Sequence, residues 1–254
     1  MKINGTNYKT IWYDSIEQNI KIIDQTKLPH SLEIITLNNI DDTIKAISEM
    51  NVRGAPLIGC TGAFGVFLSC KSSVETDYIE MCCDNLISSR PTAVNLEWAV
   101  KRVRNKVLLS KEKDRLNIAL HEATLIAEED IENCKSIGRH GLEIIKNLSQ
   151  KSNETVNILT HCNAGWLATV DWGTATAPIY LSFKSGLDIH VWVDETRPRL
   201  QGAFLTSFEL NHESIPNTVI SDNTGGFLMY KRRVNLCITG ADRILSNGDA
   251  INKI

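Results

Sequence analysis

A cysteine follows an apolar run directly in the segment NILTHCNAG, residues 157–165. A cysteine thiolate can accept a proton, so Cys162 is a candidate for acid–base chemistry if its surroundings favour the ionised form. The chain contains seven cysteines and no CxxC motif, and the default expectation for each is a buried, reduced thiol. Whether Cys162 is reactive therefore depends on the groups that the fold brings to it.

Three further apolar runs, DIHVWV (188–193), NTVIS (217–221) and VNLCIT (234–239), also end in polar residues. The carboxyl ends of parallel strands lie at one edge of a sheet, where α/β proteins bind their ligands. Four polar strand ends rich in Cys, Asp, Arg and Gln therefore predict an active site at that edge. The polar segments are Thr160–Asn163, Asp194–Gln201, Ser221–Asn223 and Thr239–Arg243.

The predicted secondary structure around these residues changes near Gln150. Residues 8–37 predict short strands, and residues 41–148 predict a series of helices. After the polar break KSNET, strands alternate with helical segments, which predicts a parallel sheet covered by helices. We therefore expect an α/β fold with a small, mostly helical N-terminal domain (1–150) and a parallel-sheet domain (151–254), with the boundary near residues 148–154.

A second group of residues could bind an anion. In VRGAPLIG (52–59), Arg53, Gly54 and Ala55 precede Pro56, a residue suited to the first turn of a helix. Free N–H groups and the helix dipole at such a terminus attract phosphate. A tightly packed helix with a charged start explains the same residues equally well. Arg90, just before another predicted helix, is a further phosphate candidate, although an arginine there is often only a solvated charge.

The helix after Pro56 contains Gly59, Gly62 and Gly65. Each glycine destabilises a helix interior by roughly 0.5–1 kcal/mol relative to alanine. Three of them predict close backbone packing, with the second domain as a candidate partner.

Composition excludes several classes of protein. The 254 residues carry a formal charge of −3 without a cluster of basic residues, which argues against a nucleic-acid partner. The sequence has no signal-peptide pattern and no apolar run of membrane-spanning length, so we expect a cytoplasmic protein with no membrane partner. Neither GxGxxG nor GxxxxGK[ST] occurs, so no dinucleotide or other cofactor is expected. The acidic and histidine side chains are too scattered for a metal site.

Seven segments taken together resemble the initiation factor 2B-like isomerase family. They run in order from about residue 50 to the end of the chain: VRGAPLIG, RPTAVNLEWA, THCNAGWLAT, DWGTATAPIY, HVWVDETRPRLQGAFLT, ISDNTGGFLM and TGADRILSNGDAINKI. The resemblance implies a small N-terminal domain joined to a Rossmann-like domain, assembled as a homodimer. It also implies conversion of 5-methylthioribose 1-phosphate to 5-methylthioribulose 1-phosphate in methionine salvage.

The resemblance further implies roles for individual residues. Cys162 and Asp242 match the catalytic pair. The substrate-binding positions match Arg53, Gly54, Ala55, Arg90, Gln201, Asn252 and Lys253. Family members continue beyond NKI, so the resemblance also leads us to expect that this chain is shortened and that its Rossmann-like domain is incomplete.

The implied reaction makes two chemical demands. The anomeric oxygen carries phosphate, so a general acid must protonate the ring oxygen as the ring opens, and hydrogen must then move from C2 to C1. Asp242 as the acid requires apolar surroundings that raise its pKa, whereas an Asp242–Arg243 ion pair is the structural alternative. Cys162 could take the C2 proton, aided by the start of a helix at AGWLA, or could stabilise a direct hydride shift. We interpret the neighbouring His161 as structural, because successive strand residues point to opposite faces.

Two other functions remain open. One is a 5-deoxyribose 1-phosphate isomerase that works by the same mechanism. The other is a non-catalytic regulatory or interaction subunit related to initiation factor 2B, although the intact THCNAG and TGADR segments favour an enzyme.

Overall fold

The computed structural model describes residues 1–152 and 154–253 of the chain. Within these ranges the strands are β1 (Lys2–Ile3), β2 (Thr6–Asn7), β3 (Ile11–Asp14), β4 (Asn19–Ile23), β5 (Ile34–Leu37), β6 (Val156–His161), β7 (Ile189–Asp194), β8 (Asn217–Ile220), β9 (Leu236–Cys237), β10 (Arg243–Ile244) and β11 (Ala250–Ile251). The helices are α1 (Ile40–Ser48), α2 (Ala55–Ser72), α3 (Thr76–Ser88), α4 (Val94–Leu108), α5 (Arg115–Ser152), α6 (Ala177–Lys184), α7 (Ser207–His212) and α8 (Thr224–Tyr230). Short strands, then helices, then alternating strands and helices follow the order that the sequence predicts.

The chain forms two compact units. Residues 9–132 and 168–170 make up the helical unit, and residues 1–8, 133–167 and 171–254 make up the sheet unit. The division falls inside α5, because this long helix contributes to both units. The domain boundary near residues 148–154 stays a prediction, and Asn153 within it lies outside the described residues.

The helical unit is built around α2. Every residue of this helix from Leu57 to Cys70 is buried, and a helix that is apolar on all sides must be enclosed by other elements. The antiparallel sheet β3-β4-β5 adds Ile20 and Ile22 to the same core. The apolar run thus accounts for the burial of α2 on all sides, in contrast to a helix with one apolar stripe.

The three glycines of α2 allow neighbouring helices to approach closely. A Cβ atom on Gly59 would lie 3.0 Å from the carbonyl oxygen of Asn95 in the first turn of α4. The corresponding atom on Gly62 would press on side chains of α4, and the one on Gly65 on side chains of α1 and α3. The close packing predicted from the glycines is confirmed, but the packing partners described here belong to the same unit and not to the second domain.

The sheet unit contains a four-stranded parallel sheet in the order β8-β7-β6-β9. The two central strands are apolar at alternating, fully buried positions, which are Val156 and Ile158 on β6 and Val191 and Val193 on β7. Helices α6, α7 and α8 follow β6, β7 and β8 along the chain. The predicted α/β class and all four predicted strands are confirmed.

Two further observations concern the helices and the cysteines of the described residues. No helix within it is both long and apolar enough to cross a bilayer. Six of the seven cysteines are buried and Cys237 is exposed, with no disulfide among these residues. The expectation that most thiols are small core residues is confirmed.

Candidate active site

The order of strands in the parallel sheet marks where a ligand is expected. From β6 the chain moves outward through β7 to β8 and then returns to the other side of β6 as β9. The order therefore reverses between β6 and β9. In open α/β sheets, ligands bind outside the carboxyl ends of the strands at such a switch point. Cys162 directly follows β6, and the TGADR segment follows β9.

Cys162 has an unusual backbone conformation. Its φ is 61°, in the left-handed region, and the residue is only 8% exposed. A residue with a side chain in that region is destabilised by about 1–3 kcal/mol unless its surroundings hold it there. The Cys162 N–H donates to the carbonyl oxygen of Asp194 (3.2 Å), and the Thr206 hydroxyl donates to the Cys162 carbonyl oxygen (2.5 Å). The loop after β6 is thus fixed on both sides of the cysteine.

A histidine–carboxylate pair lies beside this loop. The Nδ1 atom of His161 is 2.7 Å from Oδ2 of Asp194, the last residue of β7. Burial raises the pKa of Asp194, the hydrogen bond to His161 lowers it, and the charges of Asp222 and Glu195 raise it. Polar residues that end β6, β7 and β8 therefore influence one another, as the predicted common edge requires.

The THCNAG and TGADR segments meet at the switch point. A Cβ atom on Gly240 would lie 3.1 Å from the Cβ of Ala164 and 3.7 Å from Oδ1 of Asn252. Three predicted site segments, those of Cys162, Asp242 and Asn252, therefore converge on this edge of the sheet.

Asp242 itself is exposed. Its N–H donates to the carbonyl oxygen of Ile251 (2.7 Å), and the hairpin β10–β11 that it precedes forms a separate two-stranded sheet. The apolar enclosure expected around this carboxyl is not formed by the described residues. The Arg243 guanidinium donates to the backbone carbonyl of Asp242 (2.8 Å). The ion pairs found among the described residues do not include one between the Asp242 and Arg243 side chains. This geometry speaks against the structural ion pair.

Gln201 lies at the start of a π-helical segment, Gly202–Thr206, that leads into α7. The Glu195 carboxylate accepts hydrogen bonds from the N–H groups of Gly202 and Ala203, both at 2.9 Å, and so fixes this turn. Gln201 is 7% exposed, and its buried Oε1 atom has no hydrogen-bond partner among the described residues. A buried acceptor without a partner is destabilising, so this atom is suited to receive a donor from a ligand.

The predicted anion-binding residues belong to the helical unit. Gly54 is the N-cap of α2 with φ 87°, and its missing side chain leaves room for the backbone of Ala168. Pro56 stands in the first turn, as predicted. Arg53 is half-buried and Ala55 is exposed. The long helix with an uncharged first turn keeps the features that made this terminus a phosphate candidate.

Arg90 and Lys253 are also partly buried. The Nη1 atom of Arg90 is buried and has no hydrogen-bond partner within the described ranges. Because an uncompensated guanidinium nitrogen is unfavourable, this atom is available to an anion.

One local expectation is wrong. The sequence predicts that a helix begins at AGWLA and lowers the Cys162 pKa, but the structure has only a 3-10 turn there, Trp166–Ala168. A single turn aligns too few peptide groups to provide a substantial dipole. Among the described residues there is also no group of His, Cys, Asp and Glu side chains that could hold a metal ion.

Sequence reasoning missed the residues that support the Cys162 loop. Glu209 is fully buried on α7 and accepts hydrogen bonds from the Asn163 side chain (3.0 Å) and the Leu167 N–H (2.9 Å). The signal in the sequence is a glutamate inside the apolar stretch FLTSFEL, 46 residues after Asn163. An acidic residue is rarely buried without a specific partner.

The fold defines a parallel α/β protein, and its candidate ligand site lies beside a cysteine at the carboxyl edge of the sheet. The sequence profile of the Initiation factor 2 subunit family matches residues 51–254. The chain belongs to this family.

Its relatives carry two kinds of name. A methylthioribose-1-phosphate isomerase of Rhodospirillum centenum is 50% identical over 255 residues, an alignment that covers 100% of this chain and 68% of the relative. A 5-methylthioribose 1-phosphate isomerase from Pyrococcus horikoshii has a similar structure, with a TM-score of 0.88, 35% identity, and coverage of 100% of this chain and 73% of that one. A translation initiation factor eIF-2B, subunit delta, from A. fulgidus has a TM-score of 0.83 and 38% identity, with 94% and 70% coverage.

Proposed function

We propose that this chain is an aldose–ketose isomerase that converts 5-methylthioribose 1-phosphate to 5-methylthioribulose 1-phosphate, a step of methionine salvage. The observation that carries the proposal is a buried cysteine held at the switch point of the sheet, in a chain 50% identical to a relative with that name. Its substrate is a small sugar phosphate.

The reaction can be written so that atoms balance. The bond between C1 and the ring oxygen breaks as that oxygen gains a proton. C2 loses its hydrogen, the C2 hydroxyl loses its proton to become the ketone, and C1 gains one hydrogen. If the hydrogen moves as a proton, a base takes it from C2 and an acid returns one to C1 through an enol intermediate. If it moves as a hydride, it passes from C2 to C1 directly.

Cys162 is the proposed group at the C1/C2 face. Its low exposure and doubly anchored loop are suited to a group that must be held against one carbon atom in a site sheltered from water. Product formed in deuterated water distinguishes the two routes. Deuterium at C1 supports proton transfer through the solvent-exchangeable thiol, and its absence supports a hydride shift.

Asp242 is the proposed acid for the ring oxygen, and because its carboxyl is exposed in this structure, the role requires the bound substrate to exclude water from it. The close approach of Gly240 to Ala164 supports this role, because it brings the loop of Asp242 beside the loop of Cys162. The Asp242→Asn variant keeps the size of the side chain but cannot donate an acidic proton. We expect its kcat to fall by about 10²–10⁴, the usual contribution of a general acid.

The phosphate and the sugar hydroxyls need donors and acceptors. We assign these contacts to Arg53, Gly54, Ala55, Arg90, Gln201, Asn252 and Lys253. The unpartnered buried atoms of Arg90 and Gln201 support the assignment. Arg90→Ala should raise the KM for the sugar phosphate more than it lowers kcat, because it removes binding that the substrate and the transition state share.

A comparison of substrates tests the reaction itself. The chain is assayed with 5-methylthioribose 1-phosphate and with 5-deoxyribose 1-phosphate, and the ketose product is followed by NMR. The proposal expects the higher kcat/KM for the methylthio sugar. A preference for the deoxy sugar would indicate the second isomerase, and turnover of neither would favour a non-catalytic subunit related to initiation factor 2B, the kind of protein that the name of the A. fulgidus relative gives.

The proposal includes a cytoplasmic homodimer that binds no nucleic acid and needs no cofactor. Sedimentation of the purified chain would report the oligomeric state, and a mass of one chain would contradict the dimer.

A further inference from the structure

We propose that Glu209 is a positioning residue for Cys162. It acts through Asn163, Thr206 and the backbone of Leu167, which together hold the loop after β6 in its left-handed turn. The inference rests on the proposed function, because it concerns the cysteine assigned to the C1/C2 face.

The Glu209 carboxylate lies at the centre of a buried set of donors. Its Oε1 atom accepts from Asn163 Nδ2 (3.0 Å) and Leu167 N (2.9 Å), and its Oε2 atom accepts from the Tyr180 hydroxyl (2.7 Å). Glu209 and Tyr180 are both 0% exposed. Donors directed at both oxygen atoms suit the ionised carboxylate, which only accepts hydrogen bonds.

A chain of contacts leads from this carboxylate to Cys162. Asn163 Nδ2 bonds both Glu209 and the Thr206 hydroxyl (3.1 Å), and that hydroxyl donates to the Cys162 carbonyl (2.5 Å). Gly165 is so close to the carboxylate that any side chain at that position would overlap it. Both ends of the loop, at Asn163 and at Leu167, are therefore tied to one atom, Oε1.

The arrangement separates this role from general packing. The loop donors Asn163 Nδ2 and Leu167 N reach Oε1, whereas the Tyr180 hydroxyl of α6 reaches Oε2. Loss of the Oε1 bonds should release the loop, and loss of the Tyr180 bond should not. A variant that removes the bonds to the loop can therefore be compared with one that removes only the bond to Tyr180, within the same buried group.

The test measures the alkylation rate of Cys162 by iodoacetamide, peptide by peptide, with exposed Cys237 as the internal reference. Glu209→Leu removes both acceptors, and we expect Cys162 to react about tenfold faster because the strained loop opens. Glu209→Gln keeps one acceptor oxygen for the loop, and Tyr180→Phe leaves both loop bonds in place. Both should stay within about threefold of the wild type.

Turnover gives the second readout. Glu209→Leu should lower kcat about tenfold with KM changed less than about threefold, since a displaced catalytic group reduces reaction and not binding. Faster alkylation of Cys162 together with slower turnover indicates that Cys162 has lost its position. A less reactive thiol would instead slow both the alkylation and the turnover.

Two results would overturn the inference. One is a folded Glu209→Leu protein in which Cys162 is alkylated at the wild-type rate. The other is a Tyr180→Phe protein in which the alkylation rate of Cys162 rises as much as it does in Glu209→Leu. If Glu209→Leu does not fold, Asn163→Ala replaces it, with the same tenfold expectation, and an unchanged Cys162 rate would overturn the inference. Because alkylation needs no substrate, a chain that shows these rates but no isomerase turnover would refute the proposed function and leave the positioning role intact.

Discussion

Replacement of Gly54 by alanine tests how the loop before α2 is built. The residue has φ 87° and ψ 134°, and an added Cβ would lie 2.6 Å from both the Cα and the Cβ of Ala168. The backbone conformation alone should destabilise the alanine variant by about 1–3 kcal/mol. Overpacking adds about 1–3 kcal/mol, because Ala168 presents backbone atoms that cannot rotate away. The sum, about 2–6 kcal/mol, is a large part of a typical domain stability of about 5–15 kcal/mol.

Gly186→Ala is the matched control. Gly186 has φ 79°, but a Cβ there would meet no atom within 4 Å. This variant should therefore show the backbone effect without the overpacking. The unfolding free energy is measured by hydrogen exchange, on peptides of α2 for Gly54→Ala and of α6 for Gly186→Ala. If Gly54→Ala were no more destabilising than its control, the close approach of Ala168 would be refuted.

Three further predictions follow from individual side chains. Burial raises the pKa of Cys70 and of Cys83 to about 12, so at pH 8 their thiolate fractions should be roughly three orders of magnitude below that of an ordinary thiol, and iodoacetamide should leave both unlabelled in the native protein. Burial raises the pKa of Asp194 in the folded protein. The contribution of Asp194 to the free energy of unfolding is therefore greatest below the unfolded-state pKa of about 3.8, and it is lost as pH rises through the folded-state pKa. Urea denaturation across pH 4–7 should therefore show wild type losing stability relative to Asp194→Asn, and a pH-independent difference would exclude this effect. Gln201→Ala should raise KM about fivefold in initial-rate kinetics, the equivalent of one hydrogen bond of about 1 kcal/mol, and an unchanged KM would remove Gln201 from the site.

The fold could be predicted because the signals were local and strong. The runs around Ile158 and Val191 carry apolar residues at the buried positions of their strands, and polar residues mark where each strand ends. The close packing of α2 was predicted from its three glycines. Strand ends then identified the edge of the sheet where Cys162 stands, without knowledge of any side-chain contact.

The supporting residues could not be predicted because they depend on long-range contacts. Nothing near Glu209 in the sequence indicates that its carboxylate meets Asn163. Nothing near Cys162 indicates its positive φ or its hydrogen bond from Thr206, 44 residues later. The 3-10 turn after Cys162 likewise replaced a predicted helix, since the loop is held by Glu209 through the Leu167 N–H. Tertiary hydrogen bonds override local propensity at these positions.

The most direct test of the proposed function compares turnover of 5-methylthioribose 1-phosphate by the wild type, Cys162→Ala and Cys237→Ala, with the ketose product followed by NMR. Cys237 is the exposed cysteine and serves as the matched control. We predict turnover by the wild type, the same rate in Cys237→Ala, and a loss of about 10²-fold or more in Cys162→Ala, as expected when a catalytic acid–base group is removed. A Cys162→Ala protein that keeps the wild-type rate, or a wild-type chain that forms no ketose, would contradict the account.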